Sequence, residues 1–317
     1  MEAEEYFSKD FEWEELKREV LSDPSLQHHL MPFEPSSSSS SVVLPEEESN
    51  AWRKFHSRHH TGKFFKERRY LLKEFPELAS CGKDSLILEV GCGNGSTALP
   101  ILRNNENIDL YACDCSPEAL EYAKEMIDAA NVASARHRFH PFLCDLSLTG
   151  FPEWLFCVAC QKTSLSQSLP SDVNIVAGTL TGDRHSKENS CCLGGLDFVT
   201  LIFTLSAIPF QMMSSALVKC FSVLKPGGLV LFRDYGLFDM TMLRFEPGKR
   251  VGFLEYMRSD GTRSYFFSLE TVRDLFIQAG FIEVELDYCC IKSVNRKKGK
   301  SMQRVWVHGK FQKPPHI

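Results

Sequence analysis

The chain has 317 residues, 43% of them hydrophobic and 24% charged, with a formal net charge of -5, enough to bury one large core, or two smaller ones if an insertion folds separately. No apolar run approaches the roughly 20 residues of a membrane helix, and the acidic start "MEAEEYFSKDFEWEEL" is unlike a signal or transit peptide. This predicts a cytoplasmic or nuclear protein with no membrane partner, in which the 12 cysteines are free, mostly buried thiols rather than a disulfide framework.

The first 50 residues carry 13 acids against 3 bases, and include the serine run Ser36 to Ser41 between Pro35 and Pro45. Such a composition cannot bury enough surface to offset ordering entropy, so 1–50 is expected to be a disordered leader, a short amphipathic helix around Phe11 to Leu21 excepted. Residues 51–85 follow as a basic helical segment, in which Ala51 to Lys83 hold 9 Lys and Arg against 3 Glu. A basic body can attract a polyanion, or its charges can simply solvate a helix face.

From Leu86, apolar strands alternate with helical patterns: "LILEVG", a helix from about Ser96, "IDLYACD", a helix from Ser116 with Pro117 in its first turn, and "FHPFLCD". This βαβαβ rhythm predicts an α/β fold with a mostly parallel sheet and helices on both faces. After "LDFVTLIFTL", a helix ending near Leu224, the turn "KPGG" and the strand "LVLFRD", a helix spans Leu269 to Ala279. "FIEVELDYCCIKSV" and "QRVWVHGKF" flank a polar turn and read as a terminal antiparallel hairpin. The whole of 86–317 thus forms one domain, interrupted at about 147–195 by a Ser-, Gly- and Thr-rich insertion too long for an ordinary connection. The insertion holds Cys157, Cys160, Cys191 and Cys192, but the second pair lacks the two-residue gap of a zinc site, and no metal is expected.

Chemistry concentrates at the strand ends. "LEVGCGNGS" places Glu89, Gly91, Gly93 and Gly95 between a strand and a helix, where a nucleotide-binding loop needs glycine for a sharp turn and a close ligand. The third glycine comes one residue too early for the dinucleotide fingerprint. An acidic residue before GxGxG resembles class I S-adenosylmethionine-dependent methyltransferases, and that resemblance assigns Glu89 to the methionine moiety. Asp114, ending the second strand, suits the ribose hydroxyls, and Asp145 and Leu146, following the third, suit the adenine. Either Asp alone would more often cap a helix or turn, but three acids in register with one glycine loop argue against coincidence. Ile202 would line the adenine or methionine wall, or equally serve the core alone.

A narrower resemblance lies in "LIFTLSAI", "VLKPGG", "VLFRDYGLFDMTMLRF", "DGTRSYFF" and "KFFKERRYLLKEFPEL". These blocks resemble the eukaryotic tRNA N3-methylcytidine methyltransferases, over about Trp52 to Pro315 apart from the insertion. The resemblance implies methylation of cytosine 32 in tRNA anticodon loops, with Trp52 covering the cofactor and His56 standing where the family has tyrosine. A seryl-tRNA synthetase or another helper is an implied partner, and no DNA is expected.

N3 lies on the pairing edge, so the base must leave its stack. The reaction makes a cationic ring, which a carboxylate aimed at the base would stabilise. Asp234 is the candidate, with Tyr235 as wall or donor and Arg233 also facing substrate; an Arg233–Asp234 ion pair is the structural alternative. Phe64, Phe65, Tyr265 and Phe266 are candidate stacking residues. Lys63, Lys66, Arg68, Arg69, Arg244, Arg263, Arg296, Lys297 and Lys298 are candidates for phosphates. A protein or small-molecule methyltransferase, or a non-catalytic RNA-binding subunit, would keep the same cofactor motif.

Overall fold

The computed structural model describes residues 10–33, 45–59, 67–132, 134–156, 192–295 and 300–315. Five segments run parallel: β1 (Ser85–Val90), β2 (Ile108–Asp114), β3 (Phe139–Leu143), β4 (Leu196–Ile202) and β5 (Leu224–Tyr235). A small antiparallel sheet of β6 (Arg250–Gly252), β7 (Glu255–Met257) and β8 (Arg263–Tyr265) follows. The expected hairpin closes the chain as β9 (Ile282–Asn295) and β10 (Lys300–Gln312). The main sheet has seven strands in the order β3-β2-β1-β4-β5-β10-β9, with β10 antiparallel to β5.

Successive residues of a strand face opposite sides of the sheet, and here both sides are covered. Ile87 packs with Leu110 and Leu231 on one face, and Leu88 with Val199 and Phe232 on the other, which is why β1 reads as a continuous apolar run.

Among the helices, in chain order, are α1 (Trp13–Ser22), α2 (Pro45–Arg58), α3 (Leu71–Glu74), α4 (Ala98–Asn104), α5 (Pro117–Ala129), α6 (Phe210–Val223) and α7 (Leu269–Gln278). Two start on a serine cap: Ser116 Oγ accepts from the Ala119 N–H at 3.2 Å, and Ser268 Oγ from the Thr271 N–H at 3.0 Å, each satisfying an otherwise orphaned donor.

The helix expected around Phe11 to Leu21 forms as α1, and order extends past it through residue 33, where His29 is buried and its Nδ1 bonds the Tyr256 hydroxyl at 2.7 Å. Leu16 and Val20 of α1 are buried, Trp13 stacks on Tyr288 at 4.8 Å, and its Nε1 donates to the Leu237 carbonyl at 3.1 Å. The acidic, serine-rich average of the segment hides an apolar stripe at helical spacing. Helix α2 also crosses the expected boundary at residue 50; the serine run lies outside the described residues. The insertion begins later than expected, because Leu155 is fully buried and Trp154 packs edge-on against Phe142 at 5.1 Å.

None of the nine described cysteines is in a disulfide; Cys157, Cys160 and Cys191 lie outside the described residues. Among those residues no cluster of three potential ligands is arranged to hold a metal, and no helix is long and apolar enough to cross a membrane.

Candidate active site

The strand order reverses between β1 and β4, and an open α/β sheet has its ligand crevice at such a reversal, outside the carboxyl ends of the strands. A cavity of about 500 Å³ lies there. Its walls come from the glycine loop, the ends of β2, β4 and β5, the turn joining β7 to β8, strand β10 and helix α2.

One half of the cavity carries the carboxylates. Gly91 and Gly93 have φ of +67° and +53°, and a Cβ on Gly91 would meet Thr204 at 2.6 Å, so only glycine fits this turn. Asp114 Oδ2 accepts the Gly93 N–H and Oδ1 the Ser116 N–H, both at 2.9 Å. A carboxylate has about four acceptor positions, so capacity for incoming hydroxyls is left. Asp145 accepts the Ser147 N–H at 3.1 Å, the Ser147 hydroxyl at 2.5 Å and the Ser49 hydroxyl. Trp52, His56, Leu146 and Ile202 line the same half, as the sequence predicts. His56 is buried beside the loop, and desolvation holds its pKa below the ordinary value despite nearby Asp114.

Arginines and aromatic rings form the other half. Phe203 and Tyr235 pack at 5.1 Å between ring centroids. The Arg233 guanidinium lies 4.4 Å from the Trp306 ring and 5.1 Å from that of Tyr70. Arg68 donates to Thr97 Oγ1 at 3.1 Å. Most of these cations have carboxylate partners: Arg233 pairs with Glu74 at 2.5 Å, Arg304 with Asp239 at 2.8 Å, and Arg263 with Glu48 and with Glu255, the latter at 3.1 Å. Burial opposes the Arg233 charge, but the Glu74 carboxylate holds its pKa above the ordinary value.

Several expected site residues do not face this cavity. Asp234 is 0% exposed, and its Oδ2 accepts the Ser206 N–H at 2.9 Å while Oδ1 accepts the Tyr235 N–H at 2.8 Å. The two-residue period of β5 puts Arg233 and Tyr235 on the cavity face and Asp234 on the other. The Arg233–Asp234 ion pair is therefore absent as well. Desolvation raises the Asp234 pKa to about 6. Glu89 lies beneath the glycine loop, 1% exposed, with desolvation raising its pKa to about 7 against the opposing charge of Arg68.

Tyr265 stacks on Phe210 at 5.1 Å and Phe266 packs against Tyr256, so both belong to the core. Arg244 is exposed and away from the cavity, and Arg69 pairs with Glu67 at 3.0 Å. Lys63, Phe64, Phe65, Lys66, Arg296, Lys297 and Lys298 lie outside the described residues.

Reading along the chain misses Glu48, Ser49, Arg258, Arg304 and Trp306, all of which line the cavity. Glu48 and Ser49 fall within the acidic, serine-rich stretch expected to be a leader. Arg304 and Trp306 stand two apart on β10, a period-two signal that reads only once the strand's face is known.

The donor set fits S-adenosylmethionine: close glycine backbone, the Asp114 carboxylate with acceptor capacity left, Asp145 beside it, and an apolar wall of Trp52, Leu146 and Ile202. Residues 64–286 match the family described as Methyltransferase domain. A rat protein named tRNA N(3)-cytidine methyltransferase METTL6 is 37% identical over 276 residues, covering 86% of this chain and 82% of its own. The Drosophila melanogaster tRNA N(3)-methylcytidine methyltransferase Mettl2 is 33% identical over 263 residues, covering 80% of this chain and 68% of its own. In fold, the chain is similar to the Burkholderia thailandensis 1,6-didemethyltoxoflavin-N1-methyltransferase solved with S-adenosylhomocysteine, at a TM-score of 0.50 and 13% identity, covering 89% of this chain and 99% of that one. Domain match, identity across most of both relatives and sheet order agree: the chain belongs to the tRNA N(3)-cytidine methyltransferase family, on the class I S-adenosylmethionine-dependent methyltransferase fold.

Proposed function

We propose that this chain methylates N3 of a cytidine in tRNA, at position 32 of the anticodon loop, with S-adenosylmethionine as cofactor. The observation that carries this reading is one cavity with carboxylates on one side, an arginine and aromatic wall on the other, and Ile202, Thr204 and Ser206 also in its lining. When bound, S-adenosylmethionine supplies an activated methyl group on a sulfonium. Asp114 and Asp145 would hold the ribose and adenine, and Trp52 on α2 would cover them and exclude water.

Cytosine N3 already carries an in-plane lone pair, so the chain need supply no general base. Its task is to hold an extruded base, and Tyr235, Phe203 and Trp306 offer faces on which stacking returns roughly 1 to 3 kcal/mol per base. The product ring is cationic. Arg233, Arg263 and Arg304 can line such a site because Glu74, Glu48, Glu255 and Asp239 offset their charges, leaving donors without a large repulsive field. Asp234 acts at one remove, fixing the Ser206 backbone that lines the cavity.

The test is to incubate the purified chain with methyl-labelled S-adenosylmethionine and tRNA, with and without seryl-tRNA synthetase as the proposed helper, and digest the tRNA for nucleoside mass spectrometry. Labelled N3-methylcytidine is the expected product; its absence under both conditions would overturn the reading. The cytoplasm, with the nucleus besides, is the proposed location.

A further inference from the structure

Arg258 differs from the other four arginines that line the cavity. Arg233, Arg263 and Arg304 are ion-paired and Arg68 bonds Thr97, whereas the Arg258 side chain makes no ion pair or hydrogen bond among the described residues. Its guanidinium carbon lies 5.9 Å from the Tyr235 ring centroid. The nearest acid in sequence is already engaged: Asp260 Oδ1 accepts the Thr262 N–H at 2.9 Å and the Thr262 hydroxyl at 2.7 Å.

The turn carrying Arg258 is built rather than loose. The Arg258 N–H donates to Thr262 O at 2.8 Å, the Gly261 N–H to Arg258 O at 3.0 Å, and Gly261 has a φ of +85°. Arg263, at the far end of the same turn, is neutralised by Glu48 and Glu255. Resting on the tRNA reading above, we propose that Arg258 anchors a backbone phosphate flanking the cytidine whose base enters the cavity against Tyr235. An extruded nucleotide brings its phosphates to the rim, and an arginine fork matches a phosphate with two parallel hydrogen bonds. Arg258 therefore takes the role that the sequence suggests for Arg263.

The test uses the full chain and an anticodon stem–loop RNA carrying a neutral methylphosphonate at either phosphate flanking the target cytidine. One of the two substitutions should lower the wild-type kcat/KM on the order of 10- to 100-fold, the range for a lost charge-assisted contact. Arg258→Gln should show the same loss on unmodified RNA, lose nothing more on that methylphosphonate RNA, and bind S-adenosylmethionine as the wild type does. Losses that multiply would overturn the inference. So would an active wild type indifferent to both methylphosphonates, an arm that needs no variant to fold. Absence of any methylation by the wild type would overturn the tRNA reading together with this one.

Discussion

Arg233 Nη1 lies 2.5 Å from Glu74 Oε1, an ion pair whose side chains are 1% and 0% exposed. It joins α3, within the basic segment, to the end of β5 and forms part of the substrate-side wall. His308 Nδ1, 3.1 Å from the same Glu74 oxygen, ties the pair to β10.

Glu74→Gln should destabilise the chain by about 3–5 kcal/mol, because it leaves a buried guanidinium uncompensated. The double variant Glu74→Gln/Arg233→Met should recover part of that loss in denaturant unfolding. Burial pushes the Glu74 pKa up, but the Arg233 charge outweighs it and the net shift is downward from 4.5. The contribution is thus present above pH 4.5 and lost as pH falls through the lower folded value. Strictly additive single-variant costs would dismiss the coupling.

How far the sequence carries is visible at this strand. The parallel rhythm, the glycine loop, Asp114 and Asp145 are legible because each is a local pattern fixed to a strand end. "LFRDYG" is equally legible as a strand end facing a ligand, yet which of its residues faces inward depends on the pleat. Counting by two from Arg233 selects Tyr235 and rejects Asp234. Glu74 as the partner of Arg233 has no local signal, since the two are 159 positions apart and meet only through the fold.

Asp114→Ala should weaken S-adenosylmethionine binding on the order of 10- to 100-fold, through the lost charge-assisted contacts and the loosened Gly93 and Ser116 backbones. Isothermal calorimetry measures it directly. An affinity within twofold of wild type would remove Asp114 from the cofactor site.

Leu16→Ala should cost about 2–5 kcal/mol, the range for a buried leucine, because Leu16 is 4% exposed in the main core cluster. Amide exchange across 10–33 should accelerate first, since the strap is held by α1 and by few backbone bonds, among them Asp10 N–H to Cys290 O at 2.9 Å. Unchanged protection would mean that α1 is not what fastens the strap.

Asp234→Asn separates an anchor from a catalytic group by whether stability or the turnover of the folded protein falls. The Asp234 carboxyl is raised by desolvation from 3.8 to about 6, against the hydrogen bonds it accepts from Ser206 and Tyr235. A raised carboxyl binds its proton more tightly in the fold than in the unfolded chain. Its contribution is therefore fully present below pH 3.8 and lost as pH rises through about 6, worth on the order of 3 kcal/mol across that window. Asparagine cannot titrate, and its amide must turn an N–H toward one of two backbone donors, which costs about 1–3 kcal/mol. The variant should thus differ little from wild type at pH 7, where relief of the buried charge offsets the lost bond, and be clearly less stable at pH 4. Denaturant unfolding of both proteins from pH 4 to pH 7 measures the difference. A residue acting on the substrate's developing charge would instead lose turnover on the order of 100-fold in the folded protein, at any pH. That pattern would return Asp234 to the chemistry, and the expected one leaves it holding Ser206 in place.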